Sequence, residues 1–471
     1  MDAEQRLETL IDEFGLSADA ETKAATLRYA EELSTYTDRW DRSRTVESRG
    51  HWADDEYNAL LDVYDDPRRR RDDGPLSGLS FVIKDNIAAE GLRLTCGSEA
   101  FEPVSTIDAT VVDRLLDAGG TLLGKANMDA FAFGPGGLWS ERGRVRNPID
   151  AERIPGGTSS GCGVAVASGL ADAALGSDTG GSIRSPAACC GVVGIKPTHG
   201  LVPRYGFVEN VPSADTIGPL ARDVETAARV LESIRGPDVR DPTTSHVDTP
   251  PLDVGIDSFD SLRIGVLDLA PHGVSEAVTE AIADLTADLD AEPNVSVGSL
   301  DLDMEDIEEA YSVISGAEFA WLLRQSFADR GGVPTAPELA GRIDGSLFTD
   351  HVAERLLPGA YLDAATDGRA YALAQQQVVA FKRTLAECFE RFDVLLTPTL
   401  RTLPPKPDKL RDSEGGFKYT IAKQFSLAGI PAVSVPFAER EGLPVSAQLL
   451  APQFEDRTAI VAARLVERLS A

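Results

Sequence analysis

Short apolar segments alternate with amphipathic ones from residue 79 to the C terminus, and this alternation constrains the fold most. The segments 79–86 and 121–128 have the length of buried strands, and residues 109–119 between them place apolar side chains at helical spacing. Further strand-like segments lie at 262–269, 392–399, 431–437 and 443–452, and helical ones near 221–234, 273–290, 304–330 and 369–390. Such alternation is typical of an α/β architecture.

The first 70 residues have a different pattern. Their apolar positions lie at helical spacing, so we predict an N-terminal helical segment over 1–70. The sequence DDPRRRRDDGP at 65–75 breaks that pattern and indicates a solvated linker, because Asp flanks the Arg run on both sides. Strand-like segments recur to the C terminus, so residues 71–471 are predicted to form one large domain.

The charge balance is strongly acidic. The chain has 45 basic and 76 acidic residues, a formal net charge of −31 and a pI of about 4.5. This composition favours a halophile-like surface that stays soluble at high salt, with an ordinary acidic protein as the alternative. Because such a surface repels polyphosphate, we expect no direct nucleic-acid binding by this chain.

Targeting and metal signals are weak in this sequence. No apolar run reaches the roughly 20 residues that a membrane span needs, and the acidic amphipathic start differs from a secretory signal. We therefore expect a soluble cytoplasmic protein that does not bind membranes. The five cysteines and five histidines show no metal-ligand spacing, so we expect reduced thiols and no metal site.

Three segments together suggest a catalytic site: VIKDN at 82–86, PGGTSSGCG at 155–163 and GSDTGGSIRSP at 176–186. Each alone has an ordinary structural explanation. Amide hydrolysis by a serine needs a nucleophile, a base and donors for the developing oxyanion. Ser182 follows two glycines that leave the main chain bare. Lys84 ends an apolar run, where burial would lower its pKa from the usual value of about 10.4.

The sequences GGTSSGCGVAVASG and LGSDTGGSIRSPAACCGVVGIKPTHG resemble the amidase signature family, hydrolases with a Ser–cis-Ser–Lys triad. The close match covers about 75–235, with core motifs at 79–235, and a weaker one covers about 390–455, including the strands at 392–452. The resemblance implies the amidase signature fold, an α/β fold in which helices cover both faces of a large mixed central sheet.

The resemblance also implies roles for individual residues. Ser182 would be the nucleophile and Lys84 the base. The hydroxyl that links them would be that of Thr158, a position where the family usually has serine. A threonine hydroxyl can still donate and accept one hydrogen bond each, as a proton relay requires. Ser159 is the alternative relay.

Main-chain groups and one charged pair complete the implied site. The oxyanion hole maps onto the main chain of Thr179, Gly180, Gly181 and the nucleophile. Asp178 and Arg184 flank the nucleophile with opposite charges, so we expect them to pair and fix the loop. Residues that shape the substrate pocket are expected from 125–145 and 300–380.

These features predict an amidase that hydrolyses a small carboxamide through a seryl acyl-enzyme, without a cofactor. An alternative is the amidase (glutaminase) subunit of a tRNA-dependent amidotransferase, whose partner subunits handle the tRNA. Against it, residues 416–431 lack the acidic residue expected for the glutamine amino group, and 355–362 resembles such subunits only loosely. A non-catalytic scaffold is the third possibility. A homodimer could form through the predicted helix at 458–469.

Overall fold

The computed structural model describes residues 2–13, 15–40, 46–253, 255, 259–326, 349–410 and 419–470. The chain divides into two compact units, Met1–Arg44 and Thr45–Ala471. The first unit contains two helices, α1 (Ala3–Glu13) and α2 (Ala20–Trp40). An ion pair of 2.6 Å between Lys23 Nζ and Glu8 Oε1 joins them.

The larger unit is built on one sheet, which contains twelve strands in the described residues. The strands are β1 (Gly50–Trp52), β2 (Leu60–Arg68), β3 (Ser80–Lys84), β4 (Thr121–Ala126), β5 (Ala173–Asp178), β6 (Val193–Lys196), β7 (Thr216–Ala221), β8 (Leu262–Leu267), β9 (Val295–Leu300), β10 (Val394–Pro398), β11 (Ala432–Arg440) and β12 (Leu443–Leu450). Their order in the sheet is β1-β2-β4-β3-β5-β7-β6-β11-β12-β10-β8-β9.

The remaining described helices belong to this unit. They are α3 (Thr110–Asp117), α4 (Ser160–Ser168), α5 (Arg184–Cys190), α6 (Val224–Ile234), α7 (Glu276–Ala291), α8 (Glu305–Ser326), α9 (Asp350–Ala365), α10 (Arg369–Arg391), α11 (Lys423–Ala428) and α12 (Asp456–Leu469). None of the described helices combines the length and the apolar character needed to cross a membrane.

The sheet is mixed. Strand β3 runs parallel to β4 and β5, and β8 runs parallel to β9 and β10, whereas the other neighbouring pairs are antiparallel. Every residue of β5, β7 and β10 is buried. A strand buried along its whole length must be covered on both faces, as in sheets flanked by helices. The predicted α/β fold with a large mixed sheet is therefore confirmed.

The prediction of helix over residues 1–70 is wrong beyond α2. Strands β1 and β2 occupy 50–52 and 60–68, and β2 pairs antiparallel with β4. The predicted linker at 65–75 therefore begins inside β2, and its arginines bind carboxylates rather than solvent alone: Arg68 Nη2 lies 2.7 Å from Asp108 Oδ2. Pairing with the sheet outweighs the weak strand character of this acidic segment. The division of the chain into domains at residue 70 stays a prediction.

The other strand and helix predictions of the larger unit are confirmed to within a few residues. Eight further elements of the described chain have no counterpart among these predictions, namely β5, β6, β7, β9, α4, α5, α9 and α11. Helix α9 continues through Pro358, although a proline inside a helix removes a main-chain hydrogen bond. A Cβ on Gly359 would collide with the backbone of Gly316 in α8, so close helix packing holds this segment. Residues 327–330 of the predicted helix at 304–330 lie outside the described residues, as do residues 416–418.

Candidate active site

Lys84 is the last residue of β3 and is fully buried. Its Nζ donates to Thr158 Oγ1 at 2.7 Å and to Ser177 Oγ at 2.8 Å. Ser177 lies in β5, the parallel neighbour of β3, so the strand pairing brings these two side chains together. Burial lowers the pKa of Lys84 to about 8. In the described part of the chain no ion pair joins Lys84 to a carboxylate, so its partners are neutral hydroxyls.

The two hydroxyls considered as relays have different partners. Thr158, just ahead of α4, contacts Lys84 directly and lines the cavity described below. Ser159 Oγ donates instead to the main-chain oxygen of Ser177 at 3.0 Å. Of these two hydroxyls, that of Thr158 is therefore the partner of Lys84. All described peptide bonds are trans.

Ser182 is half-buried and lies in the turn between β5 and α5. Gly181 has a φ of 116°, which favours glycine, and a Cβ there would lie 2.8 Å from Ala422 Cβ. A Cβ on Gly157 would approach the Ser182 Cα to 3.2 Å. These two glycines allow the segment before Thr158 to pack against the turn that contains Ser182. Within the described residues the Ser182 hydroxyl has no hydrogen-bond partner.

Main-chain N–H groups near Ser182 can donate to a ligand in the cavity described below. The N–H groups of Thr179, Gly180 and Ser182 have no acceptor in the described chain. The Gly181 N–H differs, because it donates to Asp178 Oδ1 at 2.8 Å. Of the four groups mapped onto the oxyanion hole, Gly181 is therefore already occupied, and the other three are open to a ligand oxygen.

Asp178 and Arg184 form a completely buried ion pair, as predicted, with Arg184 Nη2 2.8 Å from Asp178 Oδ1. Burial favours the neutral acid, but the Arg184 guanidinium and the hydrogen bond it donates hold the pKa of Asp178 well below its usual range. The Ile183 N–H donates to the same carboxylate at 3.1 Å. The pair thus fixes the main chain on both sides of Ser182.

A cavity of about 230 Å³ lies beside Ser182 and Thr158. Ser182, Thr158 and the segment 179–181 form one wall. The predicted pocket regions contribute 132–135 and, from α8 and α9, Tyr311, Ser312, Ser315, Glu354, Pro358 and Gly359. Among the described lining residues Glu354 carries the negative charge and Lys423 the positive one. In the described chain no cluster of three or more His, Cys, Asp or Glu side chains is arranged for a metal.

Sequence reasoning missed three polar residues of the site. Ser177 is the second partner of Lys84, and its position inside the GSDTGG motif was the available signal. Asp215 Oδ1 accepts the Thr179 hydroxyl at 2.5 Å, and Asp215 Oδ2 accepts the Asn210 N–H at 2.7 Å. Asn210 also lines the cavity. The segment 208–215 has no motif, so no sequence signal pointed to it.

Comparison with known proteins agrees with this geometry. The family model described as "Amidase" matches residues 31–460. The chain belongs to the amidase family. The family assignment confirms the amidase signature resemblance, and we conclude that the chain is an enzyme that acts on amide C–N bonds.

Its similar relatives include both kinds of protein considered above. The A subunit of the glutamyl-tRNA(Gln) amidotransferase of Halobacterium salinarum is 41% identical, over 84% of this chain and 96% of the relative. That of Haloarcula marismortui is 41% identical, over 86% and 98%. The crystal structure of the corresponding Thermotoga maritima protein has a TM-score of 0.75 and 32% identity, covering 88% and 87%. Native peptide amidase from Stenotrophomonas maltophilia has a TM-score of 0.69 and 29% identity, covering 84% and 83%.

Proposed function

We propose that this chain is the ammonia-releasing amidase subunit of a tRNA-dependent amidotransferase and that it hydrolyses L-glutamine to glutamate. The observation that carries the chemistry is the buried Lys84–Thr158 hydrogen bond of 2.7 Å at the wall of a cavity that also contains Ser182. The 41% identity to the amidotransferase relatives, over nearly their whole length, supports the place of this chain in such a complex. The comparisons favour this role over the free-standing amidase that the sequence suggested first.

The first chemical step forms the acyl-enzyme. Neutral Lys84 accepts the Thr158 proton as Thr158 accepts that of Ser182, and Ser182 Oγ attacks the carboxamide carbon. Because the Ser182 hydroxyl has no hydrogen-bond partner in the described chain, its bond to Thr158 forms when substrate binds, as is common for catalytic contacts. The N–H groups of Thr179, Gly180 and Ser182 stabilise the oxyanion.

The acyl-enzyme forms when the proton held by Lys84 returns through Thr158 to the leaving nitrogen and ammonia departs. In the second step a water molecule loses a proton to the same relay and attacks the acyl carbon. The relay returns that proton to Ser182 Oγ as glutamate leaves, which regenerates the enzyme. Both half-reactions use one base, whose pKa of about 8 allows a neutral fraction near neutral pH.

The charges at the cavity fit an amino-acid substrate. Lys423 Nζ lies 5.8 Å from the centre of the Tyr311 ring, so the lysine stays at the cavity wall, where it can attract a carboxylate. Glu354 also lines the cavity and carries a negative charge. A cavity of about 230 Å³ suits a small substrate such as glutamine.

One observation favours the second candidate, a free-standing amidase acting on a small carboxamide. Residues 416–431 contain no acidic side chain to hold the glutamine amino group. Tyr419 from this segment lines the cavity instead. An amide without an amino group would not need such an acid, and peptide amidase shares the fold.

The test combines active-site labelling with ammonia release, at high and low salt. The purified chain is treated with a serine-directed phosphonate and its intact mass is measured, alongside Ser182→Ala and the control Ser233→Ala. Ser233 lies on α6 and bonds the main-chain oxygen of Arg229. We expect labelling of the unmodified chain and of Ser233→Ala, and none of Ser182→Ala.

Ammonia release then separates the two candidates. The chain is assayed with glutamine and with butyramide, alone and with the partner subunits of the Halobacterium salinarum amidotransferase. Glutamine turnover that appears or rises with the partners supports the amidotransferase role. Turnover of butyramide by the chain alone, without preference for glutamine, supports the free-standing amidase. Absence of labelling wherever the chain is folded would refute the Ser182 mechanism.

A further inference from the structure

Asn210 lines the substrate cavity and has an unused side-chain acceptor. The residue is 3% exposed, and the cavity that it lines also contains Ser182. Its Nδ2 donates to the main-chain oxygens of Phe131 and Ala132, both at 3.0 Å. Its Oδ1 is buried and has no hydrogen-bond partner in the described chain. A buried carbonyl oxygen that accepts no hydrogen bond destabilises the fold, so we expect a ligand to donate one to this atom.

The orientation of the amide follows from its neighbours. Rotating the Asn210 side chain by half a turn would place Oδ1 against two carbonyl oxygens, which accept but cannot donate. Oδ1 therefore faces away from Phe131 and Ala132 and can only accept. A ligand that satisfies it must carry an N–H or O–H donor.

The surroundings favour a cation as that donor. The Asp215 carboxylate accepts the main-chain N–H of Asn210 at 2.7 Å and the Thr179 hydroxyl at 2.5 Å. This buried carboxylate adds negative potential beside the Asn210 main chain, and the Arg204 guanidinium offsets part of it. Glu354 also lines the cavity but is exposed, so water screens its charge.

A glutamine molecule has two groups that can donate through nitrogen. Its carboxamide nitrogen must receive a proton through Thr158, so it lies beside the Lys84 relay. Asn210 is linked through Asp215 to Thr179 and not to that relay. The group left for Asn210 is the α-ammonium.

We propose that Asn210 Oδ1 binds the α-ammonium group of the substrate and makes this cavity selective for amino-acid side-chain amides. The inference rests on the proposed function and deepens it. It also accounts for residues 416–431, which lack an acidic side chain: Asn210 and the Asp215 beneath it supply the acceptor from a different segment.

The test measures binding, so it does not depend on turnover. In the full chain carrying Ser182→Ala, titration calorimetry gives the Kd of L-glutamine and of glutaramate, which lacks only the ammonium group. Adding Asn210→Leu is expected to weaken glutamine binding by about tenfold to a hundredfold, the range for a hydrogen bond to a charged group. Glutaramate binding should change by less than about threefold, since that ligand makes no such bond.

Asn147→Leu is the matched control. Asn147 is also buried, and its Nδ2 likewise donates to two main-chain oxygens, those of Ile154 and Cys189, at 3.0 Å each. Its Oδ1 is already used by the Ile149 N–H. Both variants therefore leave two carbonyls unpaired, but only Asn210→Leu is expected to change the ratio of the glutamine and glutaramate Kd values.

A second comparison changes the ligand instead of the protein. With Ser182→Ala alone, γ-aminobutyramide should bind more tightly than butyramide, which lacks the amino group. If glutamine keeps its advantage over glutaramate in Asn210→Leu, the assignment of Asn210 is wrong and the proposed function stands. If Ser182→Ala binds none of these amides, or binds them all alike, both the glutamine function and the role of Asn210 are overturned.

Discussion

Lys84 and Lys196 occupy equivalent positions at the ends of two strands of the same sheet. Each closes a short apolar strand, β3 or β6, and each is fully buried. Burial lowers the pKa of Lys84 to about 8, and burial together with the charge of Arg184 lowers that of Lys196 to about 7. By pKa alone, Lys196 would be the better candidate for a base at neutral pH.

The two lysines differ in what their amino groups contact. Lys84 Nζ donates to the hydroxyls of Thr158 and Ser177, and Thr158 lines the cavity that contains Ser182. Lys196 Nζ donates at 2.9 Å to the main-chain oxygen of Pro197, a group that cannot pass on a proton. Burial lowers the pKa of a lysine wherever it occurs. A base also needs a neighbouring hydroxyl that can pass a proton between it and the substrate, and Lys84 contacts one in Thr158.

The largest expected effect separates these two positions directly. Lys84→Met should reduce kcat by about 10⁴-fold, the usual loss when one member of a catalytic triad is removed. Lys196→Met should leave kcat within about tenfold, because it removes a charge without breaking the relay. Both are measured as ammonia release at substrate saturation and as the rate of phosphonate labelling.

Circular dichroism of both variants controls for folding. A methionine fills most of the space of a lysine stem, so neither variant opens a large cavity. If Lys84→Met and Lys196→Met are both folded and lose kcat equally, the hydroxyl contact of Lys84 does not distinguish its role from that of Lys196.

The next effect tests the neighbour that distinguishes Lys84. Thr158→Val keeps the β-branched shape and deletes the hydroxyl, so kcat should fall by about 10²–10³-fold, in the range of lost proton transfer. Thr158→Ser keeps the hydroxyl and should retain kcat within about tenfold. Pre-steady-state labelling measures acylation in each.

Ser159→Ala is the comparison for the alternative relay. Ser159 Oγ bonds a main-chain oxygen and not Lys84, so its loss should cost less than that of the Thr158 hydroxyl. A larger loss in Ser159→Ala than in Thr158→Val would assign the relay to Ser159.

A smaller effect, on stability, concerns the charges around Lys196. Asp178→Asn leaves the buried Arg184 guanidinium without its counter-ion, and the free energy of unfolding should fall by about 3–5 kcal/mol. The pKa of Asp178 is lowered in the folded chain, so the stabilisation is present above its ordinary value of 3.8 and lost as pH falls below it. Denaturant unfolding at several pH values measures both.

The control here is Asp393, whose ion pair with Arg263 lies at the surface. The Arg263 and Asp393 side chains are 46% and 34% exposed, so water screens the pair, and Asp393→Asn should cost less. Equal losses in the two variants would mean that burial of the Asp178–Arg184 pair does not set its contribution.

Much of the site could be predicted from sequence because its residues lie in dense local motifs. Ser182 follows two glycines, Lys84 ends an apolar run, and both belong to recognisable segments. For Ser177 the GSDTGG motif marks the position but not its contact with Lys84, and Asn210 lies in no such motif. Ser177 reaches Lys84 because β3 and β5 are neighbours in the sheet, and that pairing joins positions 93 residues apart. Asn210 enters the cavity from a segment without a motif.

Local sequence pattern also predicts only part of the fold. Core strands such as β3 and β10 are short apolar runs, which local pattern identifies. Strand β2 has three Asp among its nine residues and forms because β4 lies beside it. Helix α9 contains Pro358 and is held by packing against α8. In each case a contact from a distant part of the chain decides the local structure.

The smallest effect is a pH dependence that compares the two lysines within one experiment. The base acts when neutral, so kcat/KM should rise with pH to a half-maximum near 8, the pKa of Lys84. Lys196→Met should keep this midpoint, although Lys196 titrates near pH 7, because its proton is not transferred in the reaction. A midpoint that moves in Lys196→Met would give that lysine a part in catalysis.

The pH dependence of the free energy of unfolding is an independent check on the lowered pKa of Lys84. The folded-state pKa of Lys84 lies below the value of 10.5 for a free lysine, so between pH 8 and 10.5 the unfolded chain binds more protons. The free energy of unfolding should therefore rise with pH across that window, by less in Lys84→Met than in the unmodified chain. For Lys196 the corresponding window begins near pH 7. If neither variant flattens the rise, burial does not lower these pKa values, and Lys84 is too basic to act as proposed.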